Sequence, residues 1–328
     1  MKTYVVTGGA GFIGANYVHL LFELYGEDVR VVNVDSLTYA GNIENLRAVA
    51  DKPNYRFVQC DICDKQALRE ALSNESIDYV VHFAAESHVD RSILGADEFV
   101  RTNVLGTQVM LDLARECDVE RYLQVSTDEV YGELDDTGLF EESMPLLPNS
   151  PYSASKAGGD LLVRSYYETH KMPVLTTRCS NNYGPYQFPE KLIPLMVLNA
   201  LEDKPLPVYG SGKNVRDWIY VKDHCLGVES VLQKGRFGEV YNLGGQSEKQ
   251  NIDVVKSILS ILDKSESLIT YVEDRKGHDF RYAIDFSKAK NELGWRPTVT
   301  FEEGLESTVK WYLDNKEWRE ALQARSVV

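Results

Sequence analysis

The chain has 328 residues, 43% of them hydrophobic and 26% charged, which is the profile of an ordered globule with room for two domains or one large α/β unit with a smaller lobe. Its formal net charge of -15 disfavours nucleic acid and anionic membranes as partners, so any bound phosphate must be met by locally placed cations or backbone amides. The N-terminus lacks an apolar signal core and no apolar stretch reaches the roughly 18 residues of a membrane span, so a cytoplasmic protein is expected.

Residues 2–7 form a short buried-strand pattern, followed by Gly8-x-x-Gly11-x-x-Gly14, a helical pattern over 15–24 and a second strand pattern over 29–34 ending on Asp35. This is a complete βαβ unit. Glycines at such a strand-to-helix junction let the backbone turn tightly and approach a pyrophosphate at the helix N-terminus. Asp35 lies 21 positions beyond Gly14, where a carboxylate accepts from both ribose hydroxyls and repels a 2′-phosphate; NAD is favoured over NADP.

Further strands are expected over 55–59, 79–83, 122–126 and 174–178, with helices over 65–73, 96–117 and 152–170. The fold class is therefore α/β: a doubly wound parallel sheet of Rossmann type, with ligands at the carboxyl ends of its strands. Asp61 and Ile62, after the third strand, either contact adenine or form a solvated strand exit. The five cysteines are scattered and odd in number, which fits reduced thiols. Cys60-x-x-Cys63 has no second pair to complete a zinc site and reads as a strand end, so no metal is expected. After about Arg178 the alternation loosens. An NAD-binding domain over 1–180 and a mainly substrate-binding lobe over 181–328 follow, with segments within 215–245 expected to return to the first.

The densest chemistry lies between 126 and 156. Tyr152 and Lys156 are four apart on one helix face, and an ammonium beside a phenol lowers its pKa from about 10, making it a usable base. Ser126-x-x-Glu129 also fits a helix capping box. Strand alternation would send Asp128 and Glu129 to opposite faces, so joint action requires the chain to turn at about Thr127.

The glycine loop, Asp35, Ala84-Ala85, Asn103, Ser126-Thr127 and Tyr152-x-x-x-Lys156 together resemble the extended short-chain dehydrogenase/reductases that work on nucleotide sugars. The runs 37–42, 85–92, 126–132, 178–194 and 216–220 are similar to the dTDP-glucose 4,6-dehydratase family. The resemblance implies NAD bound by Gly8, Gly11, Phe12, Ile13, Gly14, Asp35, Thr38, Asp61, Ile62, Ala84, Ala85, Thr102, Tyr152 and Lys156. It implies dTDP-glucose as substrate, with Ser87 and Thr127 near the hexose and Asn181, Lys191, Arg216, Asn251, Arg275 and His278 around the nucleotide and diphosphate. Catalysis falls to Thr127, Asp128, Glu129, Tyr152 and Lys156. In the family's reaction Tyr152 takes the C4 hydroxyl proton as C4 is oxidised, Glu129 takes the C5 proton and a protonated Asp128 donates to the departing C6 hydroxyl. The product, dTDP-4-keto-6-deoxyglucose, feeds deoxysugars such as dTDP-rhamnose. The 4-epimerases typically carry small residues where Asp128 and Glu129 stand. Segment 274–282 departs from the family pattern at Lys276 and Phe280. Family members pair the helices at 96–117 and 152–170 into a homodimeric four-helix bundle; the alternative is that both merely cover the sheet.

Overall fold

The computed structural model of the protein describes residues 1–274 and 277–325. In chain order the first half comprises β1 (Lys2–Thr7), α1 (Phe12–Tyr25), β2 (Val29–Asp35), β3 (Tyr55–Gln59), α2 (Lys65–Leu72), β4 (Tyr79–His82), α3 (Val89–Leu94), α4 (Asp97–Val100), α5 (Thr107–Glu116) and β5 (Arg121–Thr127). The second half comprises α6 (Pro151–His170), β6 (Val174–Cys179), β7 (Asn181–Tyr183), α7 (Leu192–Leu201), β8 (Leu206–Tyr209), β9 (Val215–Tyr220), α8 (Val221–Lys234), β10 (Val240–Leu243), β11 (Glu248–Gln250), α9 (Asn251–Ile261), β12 (Ile269–Val272), α10 (Ser287–Leu293), α11 (Phe301–Asp314) and α12 (Lys316–Arg325).

Seven parallel strands form the central sheet in the order β10-β6-β5-β4-β1-β2-β3. Most of its strands are buried without alternation because both faces are covered: apolar residues of α1 and α8 pack on one side, those of α2 and α5 on the other. The chain winds outward from β1 through β2 to β3 and then resumes at β4 on the opposite side of β1. That reversal opens a crevice at the carboxyl ends of β1 and β4. On the first face the hydroxyls of Tyr4, Tyr17 and Tyr25 all donate to Glu229 of α8, tying β1, α1 and α8 together.

Residues 240–243 add the seventh strand beside β6. Residues 215–220 instead run between β7 and β11 in a separate three-stranded sheet. These strands, with α7, α9 and α11, enclose a second apolar core. The long helix expected over 96–117 runs unbroken from Asp97 to Glu116 but is not α-helical throughout. Arg101–Gly106 widens into a π-helical turn, where Asn103 faces inward: its side chain bonds both the N–H and the carbonyl of Glu86 and donates to Ser155 on α6. Among the described residues no helix is long and apolar enough to cross a membrane.

Candidate active site

The glycine loop between β1 and α1 is fixed by close backbone approach. Gly8 has φ 70°, and a Cβ there would stand 2.7 Å from the Ala84 backbone; one on Gly14 would stand 2.2 Å from the Gly8 carbonyl. Helix α1 starts with no side-chain cap and no acid in its first turn. Its first amides thus remain available to an anion. Asp35, at the end of β2, accepts from the Ala10 amide at 2.9 Å and the Leu37 amide at 2.8 Å. Burial pushes its carboxyl up while those two bonds oppose the rise.

All the residues expected at the dinucleotide line one cleft of about 390 Å³, from the glycine loop and Asp35 through Thr38, Asp61, Ile62, Ala84, Ala85 and Thr102 to Tyr152 and Lys156. The glycine cradle, the uncapped helix and the held carboxylate fit NAD. Asp61 does not merely face solvent. It accepts from Arg101 at 2.7 Å and from the Cys63 amide, and these outweigh the burial that would raise its carboxyl, leaving it below the usual range.

At the other end of the cleft β5 stops at Thr127, whose backbone is extended at φ −134° and ψ 153°, and the chain turns into a 3-10 helix over Asp128–Tyr131. The capping residue is Thr127, whose Oγ1 accepts from the Glu129 amide at 3.3 Å, so the capping box read from Ser126 does not form. A single 3-10 turn is too short to use a four-residue box. Asp128 and Glu129 both line the cleft with Ser87, Asn181 and Lys191. Asp128 is only 2% exposed, and its Oδ2 has no hydrogen-bond partner among the described residues. Burial pushes its carboxyl well above the usual range, Glu129 and Asp217 add to the rise, and Arg216 opposes it.

Tyr152 and Lys156 lie on α6, which starts with a Ser150–Ser153 capping box and Pro151 in its first turn. Lys156 Nζ donates to the Val125 carbonyl at 2.8 Å. The expected lowering of the Tyr152 phenol by Lys156 is not what the protein alone gives: burial pushes the phenol well up, and Glu129 adds to the rise. Burial likewise draws the Lys156 ammonium down, against the opposing charge of Asp160.

Arg216, Asn251 and His278 lie outside the lining of this cleft. Arg216 is buried, donates to the carbonyls of Val215 at 2.8 Å and Asp279 at 2.9 Å, and stacks 4.4 Å from the Tyr282 ring centroid. Asn251 opens α9, and its buried Oδ1 lacks a partner among the described residues. His278 Nδ1 is 2.6 Å from Asp274. Arg275 and Lys276 lie outside the described residues. Several cleft residues had no signal in the sequence. Arg101 is one; Glu190, which accepts from Tyr39 at 3.1 Å, is another, a single acid with no spacing rule to mark it. Among the described residues no group of three or more His, Cys, Asp or Glu could hold a metal ion.

The profile of a family described as GDP-mannose 4,6 dehydratase matches residues 5–308. A dTDP-glucose 4,6-dehydratase from Xanthomonas campestris pv. campestris (strain B100) is 54% identical over 336 residues, covering 97% of this chain and 95% of that protein. The chain belongs to the dTDP-glucose 4,6-dehydratase family. A crystal structure from that family, DesIV from Streptomyces venezuelae with NAD and dTDP bound, has a TM-score of 0.94 at 51% identity, covering 98% of this chain and all of that one. A UDP-glucose 4-epimerase from Thermotoga maritima, solved with UDP-glucose, still reaches a TM-score of 0.89 at 29% identity, over 96% of this chain. Because the backbone barely distinguishes the two, what separates dehydratases from epimerases must lie in side chains.

Proposed function

We propose that the protein converts dTDP-glucose to dTDP-4-keto-6-deoxyglucose and water with bound NAD. The observation that carries this reading is the pairing of a deeply buried Asp128, which favours its protonated form, with Glu129 in one turn beside Tyr152. An acid and a base on adjacent carbons require two neighbouring carboxyls, one of them held protonated, as burial favours for Asp128.

Tyr152 accepts the C4 hydroxyl proton as phenolate, a form that Lys156 and the positive charge of bound NAD would favour against the burial and the Glu129 charge that raise the phenol. Bound NAD supplies the two-electron oxidant for C4 and the same reducing equivalent for C6. The C4 ketone acidifies C5, whose proton passes to Glu129, while Asp128 gives its proton to the departing C6 hydroxyl, which leaves as water. Glu129 then returns a proton to C5. The proton gained by Tyr152 equals in number the one lost by Asp128, and a proton passing from Tyr152 to Asp128, directly or through solvent, resets both for the next turnover. Thr127, whose Oγ1 donates to Asp128 and accepts from the Glu129 amide, caps the turn that carries both carboxyls.

Ser87 and Thr127 are assigned to the hexose, and Asn181, Lys191, the buried Arg216, Asn251, Arg275 and His278 to the nucleotide and diphosphate. The division of labour between 1–180 and 181–328 is supported by a separate apolar core of β7–β9, α7, α9 and α11, although α8, β10 and α10 return to pack on the first domain. The partner is a second copy of the chain, joined through a four-helix bundle of α4–α5 and α6; exposed Val100, Leu105 and Leu161 on those helices support it. The five unpaired cysteines fit a cytoplasmic location.

Incubation with dTDP-glucose should yield the alkaline chromophore of a 4-keto-6-deoxy sugar. Glu129→Gln should cut kcat by about 10²–10⁴-fold with the cofactor still bound. A galactose epimer in place of the keto sugar would refute the reading, and faster turnover of GDP-mannose or UDP-glucose would reassign the substrate.

A further inference from the structure

Arg178 and Asp160 form an ion pair that this chemistry does not use. Arg178 shares a register position with Ser126 on the neighbouring strand, and its Nε donates to Asp160 Oδ2 at 2.9 Å. Both side chains are nearly sealed from solvent, 6% and 2% exposed. Asp160 stands one helical turn beyond Lys156 on α6, and its Oδ1 has no hydrogen-bond partner among the described residues. The same guanidinium lies 4.8 Å from the ring centroid of Tyr131. Tyr131 closes the 3-10 turn that begins at Asp128, and its hydroxyl donates to Asn242 of β10 at 2.9 Å. A buried ion pair is weak evidence for stability, since desolvation offsets much of its attraction. Here one cation touches both elements that carry the reacting groups.

We propose that Arg178, anchored by Asp160, is a positioning residue that holds the turn bearing Asp128 and Glu129 against the helix bearing Tyr152 and Lys156. Oxidation at C4 and elimination across C5 and C6 then act on one pose of the sugar. The inference rests on the dehydratase reading. Neither Arg178 nor Asp160 lines the catalytic cleft, so neither meets the substrate. Asp160 has a second effect, because its charge opposes the burial that draws the Lys156 ammonium down. The other titratable groups facing Lys156 are Cys179 of β6 and His82 of β4; those facing Tyr152 are Glu129, Asp128 and Cys179.

Wild-type protein is first given dTDP-glucose. No keto-sugar product would overturn the dehydratase reading and this inference with it, whereas a productive wild type matched by its Arg178→Lys variant overturns the inference alone. The expected result for Arg178→Lys is a fall in kcat on the order of 10²-fold with KM within about threefold of wild type. In its first turnover the absorbance of reduced nicotinamide rises and decays slowly, because elimination is slowed more than oxidation. Asp160→Asn shifts the alkaline limb of kcat to lower pH, since Lys156 then loses its proton earlier, and Asp160→Glu restores that limb. Tyr131→Leu removes the ring while leaving the ion pair, and carries the test if Arg178→Lys does not fold: the same transient is expected, with less than multiplicative loss in the double variant. A loss of kcat that only tracks melting temperature, with no transient and no pH shift, would make the pair structural and sink the proposal.

Discussion

Asp128 holds a proton that an exposed aspartate would lose, first because it is buried and then because Glu129 and Asp217 add negative charge around it. Its folded pKa lies above the unfolded value of about 3.9, so the stability it contributes is fully present below about pH 4 and is lost as pH rises through the raised value. Asp217 acts in the same sense: burial pushes it up to about 6, against the amides of Ser247 and Gly245. Asp128→Asn should therefore raise stability at alkaline pH, above the raised pKa, by about 1–3 kcal/mol, because there a buried and incompletely bonded charge is replaced by a neutral amide, while turnover collapses. Thermal melts at pH 5 and pH 8 check this. The Asp128→Asn difference between the two should shrink, and shrink further with Asp217→Asn added; an unchanged difference would show that other groups carry the pH dependence. The acidic pair was legible from its place after an apolar run. Its protonation was implied only by the family resemblance, because what sets it is burial first and then Glu129, Asp217 and Arg216, the last two almost ninety positions away in sequence.

The element on which the cofactor depends is the β1–α1 junction, and its local spacing made it readable. Three glycines spaced by two, a strand before and a helix after, are all within the first twenty-five residues. Gly14→Ala would drive a Cβ to within 2.2 Å of the Gly8 carbonyl. Relieving that clash must lift the loop from α1, at about 1–3 kcal/mol, which is roughly a ten- to hundredfold loss in NAD affinity. Titration followed by nicotinamide fluorescence measures it. Gly95→Ala, where an added Cβ meets nothing within 4 Å, should bind NAD like wild type; equal loss in both variants would mean that the close approach is not what matters. The helix over 96–117 shows where local pattern fails. Its apolar spacing is helical throughout, yet Asn103 is drawn into the loop at Glu86 and toward Ser155, and the backbone opens into a π turn to allow it. Neither partner is within a helical turn of Asn103, so no window centred there reports them. The Arg178–Asp160 pair escaped for the same reason.

At the scale of the whole molecule, the parallel sheet and its ligand-bearing edge followed from strand-helix alternation. What alternation does not reveal is how the second lobe's Arg216 comes to face Asp128, since β9 leaves the central sheet for a three-stranded one. Surface character is equally hidden from periodicity, and it bears on assembly. Leu94 is 89% exposed, Val100 53%, Leu105 46% and Leu161 57%, an apolar concentration on α3, α4, the π turn and α6 that water solvates poorly. Burying it against a second copy by a two-fold axis would cover the same patch on both chains. If the proposed homodimer uses this patch, the double variant Leu105→Asp, Leu161→Asp should halve the mass measured by light scattering, with the melting temperature falling as the exposed face gains no cover; a wild type that is already monomeric would refute the dimer. Arg101 joins this surface to the site, for it lines both the NAD cleft and the groove formed with Val100, Val104 and Leu105, and it holds Asp61 at the cleft's edge. The monomeric variant should therefore release NAD faster than wild type. A variant that stays dimeric would move the interface elsewhere, and a monomer that keeps NAD as tightly would separate the cleft from assembly.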